Sequence, residues 1–356
     1  MITIGRDDFV QKKKLRELFL MTSFLCCCVV MIHISSYPVG QLLVGSWQHR
    51  LFFLGNKALS FVVPSFVFLS GLKLAYSYRE KVFSFGEFIR RRFSRIFIPY
   101  ILWYIAYYLL LRYLGYIAAK NLAQHLFSFV MGDLVSPFYF VTIIIQFYIL
   151  FGIIWWVFEK FSHKKILLSV GILEFLYLQY TFLPYEDRFF MTYLFYFILG
   201  CYVALHLEEF KNVLQKYQIV ILLLFIGLTA WHSYHAYLAA LGTPYVGWRI
   251  IGCIFSVISI FAIYQGSILL ERILPKGMVA FFQRVDAASY DIFLSHCFVL
   301  YISYEIWSRN GVSSIIGKFI LNCMTVYPIA FGCCIFINYI NHRLKDKHNN
   351  FEKNIT

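Results

Sequence analysis

The chain has 356 residues, 60% of them hydrophobic and only 14% charged, with a mean hydropathy of +0.68. A soluble domain runs nearer half apolar and a quarter charged, so that class is excluded; ten helices of about 20 residues would also leave no room for an appended soluble enzyme module of ordinary size. The formal net charge of +14 would suggest nucleic acid in a soluble protein, but in a membrane chain it reads as an excess of Lys and Arg on one side of the bilayer, and no nucleic-acid partner is expected.

A charged stretch, residues 1–16, precedes the first apolar run and has no small-residue cleavage site after it, so the run reads as an uncleaved first span. Runs long enough to cross then follow at 17–36, 51–72, 96–116, 137–158, 166–183, 189–206, 218–238, 249–270, 289–307 and 314–340. Their continuity lacks the alternation of a membrane barrel, so the expected class is an all-α integral membrane protein of about ten spans. With the N-terminus inside, inner segments hold 24 of the 32 Lys and Arg residues and outer loops hold eight. That asymmetry places both termini in the cytoplasm, with cytoplasmic tails at 1–16 and 341–356 of a single membrane domain, 1–356, in the plasma membrane. Membrane lipid is the first partner.

The first span carries His33, sixteen residues beyond Glu17 and so about 24 Å along the helix axis. An imidazole at that depth is costly unless it faces the protein interior or a wet cavity. It is the side chain suited to take a proton from a hydroxyl near neutral pH, and it is equally suited to bridging two helices by a hydrogen bond.

Between spans 2 and 3 the chain reads SGLKLAYSYREKVFSFGEFIRRRFSRIFIPYILW. Arg92 and Arg95 are three apart and would share a face of an α-helix, a pair of guanidinium forks able to grip a phosphorylated donor. Anchoring on anionic lipid is the competing use of the same charges. Ser70 and Gly71 close span 2, where a small residue permits close helix approach, as does Gly200 in span 6.

Gln146 and Tyr148 in span 4, Glu174 in span 5, and Trp231, His232 and His235 in span 7 are polar intrusions that would line a cavity or sit in an interfacial belt. Span 9 holds His296, with Asp291 five residues earlier and therefore on a largely different face. Catalysis and structural hydrogen bonding are both open to His296. The nine cysteines lie in apolar runs with no C-x-x-C pair, so neither disulfide nor metal is expected. A Walker run, a dinucleotide fingerprint and a Gly-x-Ser-x-Gly elbow are all missing from the sequence.

The stretches VVMIHISS, VVPSFVFLSGLKL, FIRRRFSRIFIPYILW, FVTIIIQFYIL, FYFILGCYVA and SYDIFLSHCFVL, in that order, resemble the membrane-bound acyltransferase-3 family, and among its branches the intercellular adhesion protein group tied to poly-N-acetylglucosamine. The resemblance implies a membrane O-acyltransferase that moves an acetyl or succinyl group from acyl-coenzyme A, a co-substrate rather than a bound cofactor, to a hydroxyl of a cell-surface polysaccharide. It implies His33 as base, Arg92 and Arg95 as donor clamps, and Ser70 and His296 as matched positions of the cavity or acceptor site; Gln146 and Tyr148 join them as polar groups of span 4 that would line the same cavity. Members of the group are also viewed as polysaccharide exporters, and a non-catalytic partner of a polysaccharide synthase complex is a third reading. The family usually places an arginine eleven residues before the span 1 histidine. Here that position is Thr22, and Arg16 and the Lys12 to Lys14 cluster are the nearest basic groups along the chain.

Overall fold

The structure, a computed structural model, describes residues 15–355. Of the basic tail expected at 1–16, all but Leu15 and Arg16 therefore lies outside the described residues, including the Lys12 to Lys14 cluster. The described chain is helical, with no strand among the described residues.

Helix α1 is Arg16–Gln41, α2 Trp47–Ala58, α3 Val62–Tyr78 and α4 Phe85–Arg92; one π-turn, Phe93–Phe97, leads into α5, Ile98–Tyr113. Then come α6, Leu122–Met131, α7, Tyr139–Lys160, α8, His163–Tyr180, α9, Leu194–Leu205, and α10, Leu207–Lys216. The last four are α11, Gln218–Ala240, α12, Trp248–Ile273, α13, Lys276–Arg309, and α14, Ile315–Ile355. The tail expected at 341–356 continues α14 as helix to Ile355.

Eight helical stretches are long and apolar enough to cross a bilayer, and a ninth if Phe190–Leu205 and Leu207–Lys216, bent by 102°, form one broken span. The run expected at 166–183 accounts for the difference from ten. It lies in α8, which has only 18 residues and carries Lys164, Lys165 and Glu174, a charge load a span resists.

Local sequence sets the breaks. Ser46 caps α2 by accepting from the His49 amide, and Asn121 with Gln124 forms a reciprocal capping box on α6. Helix α6 ends on Gly132, whose φ of 61° is in the left-handed region that glycine enters without penalty.

Two glycines set the tightest helix contact. A Cβ on Gly71 of α3 would stand 2.2 Å from the Phe197 carbonyl oxygen of α9, and one on Gly200 of α9 would stand 2.1 Å from the Phe68 oxygen. Helix α3, which carries Ser70, is thereby pressed backbone to backbone on α9. Helix α1 lies against α3, α12, α13 and α14, inside the bundle.

Candidate active site

His33 and His296 meet where α1 packs on α13. Their ring centroids are 5.0 Å apart, inclined by 43°. His296 is fully buried and His33 is partly buried. The His296 Nδ1 atom lies 3.1 Å from the Ile292 carbonyl oxygen. A carbonyl only accepts, so Nδ1 carries the hydrogen, and a neutral ring then presents Nε2 as an acceptor. That Nε2 is buried with no hydrogen-bond partner. A buried, unsatisfied acceptor beside a second imidazole can receive an N–H from that ring, which would leave the ring's other nitrogen an acceptor.

The sulfur of Cys297 joins this pair: potential ligand atoms of His33, His296 and Cys297 all lie within 4.8 Å of one another. The sequence reading expects no metal, because its spacings single out no such set. Two imidazoles and a thiol are nonetheless ligand types that zinc accepts.

On the same face of α1 as His33, three turns and about 16 Å toward the start of the helix, stands Thr22. Its Oγ1 accepts from the Lys73 ammonium at 3.0 Å, and Lys73 also binds the Asp286 carboxylate at 2.6 Å. The position where the family usually carries arginine thus has a positive charge beside it, supplied by α3 rather than by α1. Arg16, the sequence candidate for that charge, points away to Glu271 at 3.6 Å and is mostly exposed. In the sequence Lys73 is one of the 24 Lys and Arg residues of the inner segments and nothing more. Its signal was a lysine within an apolar helix, three residues and hence one turn after Ser70. The carboxylate beside Lys73 is Asp286, not Asp291.

Thr22, Ser70, Lys73, Tyr148 and Tyr290 line a cavity of about 160 Å³. Its apolar wall is made by Phe66, Phe140 and Phe293. The Phe140 and Phe293 rings are 5.2 Å apart, and Phe293 is 6.1 Å from the His296 ring. Neither histidine lines this cavity; Phe293 is the wall residue that stands next to the pair. Outside it, the Arg92 guanidinium sits 5.4 Å over the Tyr148 ring and 5.7 Å from Phe88. Arg92 and Arg95, spaced to share an α-helical face, are instead joined through the π-turn: Arg92 turns in on Tyr148 and Arg95 stays exposed.

Gln146 is not in that cavity. It donates to the Arg188 carbonyl at 2.7 Å and accepts from the Phe190 amide at 3.1 Å, pinning the 186–193 segment, and it lines a separate cavity of about 530 Å³. Glu174 accepts from the Phe195 amide, and His232 bonds Ser60 at 3.2 Å and Tyr245 at 3.4 Å. Burial pushes the Tyr245 phenol above its ordinary range, so it remains a hydroxyl.

A family model described as an acyltransferase domain matches residues 20–340. The chain belongs to the acyltransferase-3 family. It is also similar to proteins named probable poly-beta-1,6-N-acetyl-D-glucosamine export protein. The one from Staphylococcus epidermidis is 25% identical over 256 residues, 66% of this chain and 67% of the relative. Those from Staphylococcus aureus strains MRSA252 and MSSA476 are 25% identical over 311 and 313 residues, in each case 81% of this chain and 83% of the relative. No solved structure matches the chain. Membership supports a multi-pass membrane acyltransferase, and the match spans α1 through α13 and most of the apolar part of α14, with both histidines, Lys73 and the arginine run inside it.

Proposed function

We propose that the protein is a plasma-membrane O-acyltransferase, with both termini in the cytoplasm, that moves an acetyl or succinyl group from acyl-coenzyme A to a hydroxyl of a cell-surface polysaccharide. The observation that carries this reading is the His33 ring packed against the buried, partnerless Nε2 of His296, with Phe293 standing between that pair and the cavity that holds Lys73. The anionic coenzyme would lie at the end bearing Arg92 and Arg95, its thioester arm passing Lys73, Ser70 and Tyr148.

In the transfer, His33 takes the proton of the acceptor hydroxyl as the oxygen attacks the thioester carbonyl. The carbon–sulfur bond breaks, and the coenzyme thiolate leaves with the proton that His33 returns. A His33 N–H turned onto the free Nε2 of His296 would fix the tautomer that can do this.

The relatives' printed names support a second reading, export of a β-1,6-linked N-acetylglucosamine polymer. The test is acyl transfer by purified protein in lipid nanodiscs, from acetyl- or succinyl-coenzyme A to a β-1,6-linked N-acetylglucosamine pentasaccharide, read by mass spectrometry. A mass increase of one acyl substituent, lost in His33→Ala at unchanged protein abundance, is the expected result. Undiminished transfer by His33→Ala removes the histidine from the mechanism. In cells, loss of the chain leaves exported, unacylated polymer under transfer and no exported polymer under export. One zinc per chain in the same preparation, lost in His33→Ala, would make the ring a ligand and overturn its role as base.

A further inference from the structure

A cavity of about 890 Å³ opens at the end of the bundle opposite the arginine run, between the α2–α3 junction, the 186–196 segment, α11 and the start of α12. Its size is that of pockets that enclose most of a small ligand. Trp248, Tyr245, Tyr139 and Tyr193 give its wall flat rings with polar tips, and Ser60, Thr192 and Ser256 add hydroxyls. Trp248 is about half exposed, at the mouth, while Tyr193 is buried at the back.

The charges in this wall cancel. By count, Lys57 and Arg249 are matched by Glu186 and Asp187; Arg249, only 9% exposed, binds the Glu186 carboxylate at 2.8 Å, Asp187 lies 3.7 Å from Arg188, and the Lys57 ammonium sits 5.6 Å over the Phe53 ring. An anion would find the guanidinium already taken, and a hydrocarbon tail would strip water from hydroxyls and His232 without replacing their hydrogen bonds. A ligand that suits both the rings and the hydroxyls is uncharged, rich in hydroxyls and flat on its faces, which is the chemistry of a pyranose.

We infer that this cavity binds a segment of a neutral polysaccharide, with a sugar ring lying on Trp248; its role as the acceptor site rests on the transfer reading. Its position suits that role. The Asn56 side chain donates to the carbonyl of Ile32 at 2.9 Å, one residue from His33, and Lys57 and Ser60, within the next turn, lie in the cavity wall. The glycan is held beside the level of the histidine pair, at the end away from the donor.

The test is binding of the same pentasaccharide to full-length protein in nanodiscs, measured by titration calorimetry without any acyl donor. Trp248→Ala removes a ring at the mouth. Gly252→Val fills the floor: a Cβ there meets only the His232 Cε1 at 3.7 Å, an ordinary contact. Trp156→Ala, on α7 and outside the cavity wall, is the control. The expected result is binding by the parent protein, a Kd at least about tenfold weaker in both cavity variants, an unchanged Kd in the control, and unchanged melting temperatures throughout. No binding by the parent protein, or the same Kd in all four proteins, overturns the assignment. Binding that follows the expected pattern in a protein that transfers no acyl group keeps the cavity and removes the transferase. Acylation that depends on His33 while the cavity variants bind like the parent does the reverse.

Discussion

Replacing Lys73 by methionine removes the ammonium that stands beside Thr22 while keeping the length of the side chain. The Lys73 side chain is 40% exposed and that of Asp286 18%, so solvent screens the pair and its loss costs at most about 1 kcal/mol of stability; the variant therefore stays folded. Function pays more. A charge-assisted hydrogen bond to an anionic or carbonyl oxygen of the donor is worth about 1.5–3 kcal/mol, which is roughly 10- to 150-fold in kcat/KM. Asp286, left without its cation, adds repulsion of the same sign. Because the Lys73 Nζ is 3.0 Å from the Thr22 Oγ1, an arginine at 22 returns the charge to the same place from the other helix, and Thr22→Arg in the Lys73→Met background recovers at least about a third of the lost kcat/KM. Arg16→Ala, with its charge turned to Glu271, leaves kcat/KM unchanged. The assay is acyl-coenzyme A turnover in nanodiscs at low ionic strength, where screening is least. A Lys73→Met enzyme within twofold of the parent, or a double variant no better than the single one, refutes the reasoning.

His296→Leu lowers kcat by about 100-fold with little change in KM, and His296→Gln, whose amide oxygen can accept in place of Nε2, recovers part of it; equal losses in the two would reduce His296 to packing. Arg92→Ala raises KM for the coenzyme donor more than Lys81→Ala does, because Arg92 is held over Tyr148 at the edge of the cavity, and equal losses would favour a lipid anchor. Gly200→Ala forces a methyl to 2.1 Å from the Phe68 oxygen, so α3 and α9 separate at a cost of roughly 1–3 kcal/mol or more; a melting temperature in detergent within a degree of the parent would show that the contact is slack.

Most of the helices were legible because apolar length alone writes them. Residues 17–36, for example, fall inside α1 and 249–270 inside α12. The break after α9 was legible as the end of the apolar run at 189–206, but the 102° angle at which α10 leaves it was not, since packing against neighbours decides the direction. In the site, His33 was legible from depth and residue type. Its partner His296 was singled out without the pairing, because which helices touch is not written in either helix. Lys73 was visible only as a charge, and the hand-over of a cation from α1 to α3 requires knowing that α3 is clamped by Gly71 and Gly200 and that its lysine faces Thr22. The π-turn at 93–97 hid in the same way: the spacing of Arg92 and Arg95 predicts one shared face only if the helix is α throughout.

The shape of the inner cavity bears on the choice between transfer and export. Helix α1 holds a fixed interval of about 16 Å between Thr22 and His33, and a cation brought to Thr22 from α3 preserves that interval although the residue on α1 has changed. An exporter has no use for such a ruler; a transferase does, because the charged part of a thioester donor and its reacting carbon are separated by an arm of fixed length. The cavity along this interval is about 160 Å³ and is bounded by Phe66, Phe140 and Phe293, with the first two rings 5.9 Å apart. A slender unbranched arm fits such a space, whereas a polysaccharide would have to part three aromatic rings in a close-packed wall. The roomy, hydroxyl-lined cavity lies at one end only, with Val63 and Tyr139 on its wall and Phe66 and Phe140, on the same two helices, on the wall of the narrow one. The close aromatic wall of the narrow cavity is the feature that weighs against threading a polymer through this part of the bundle and for the transfer proposed above.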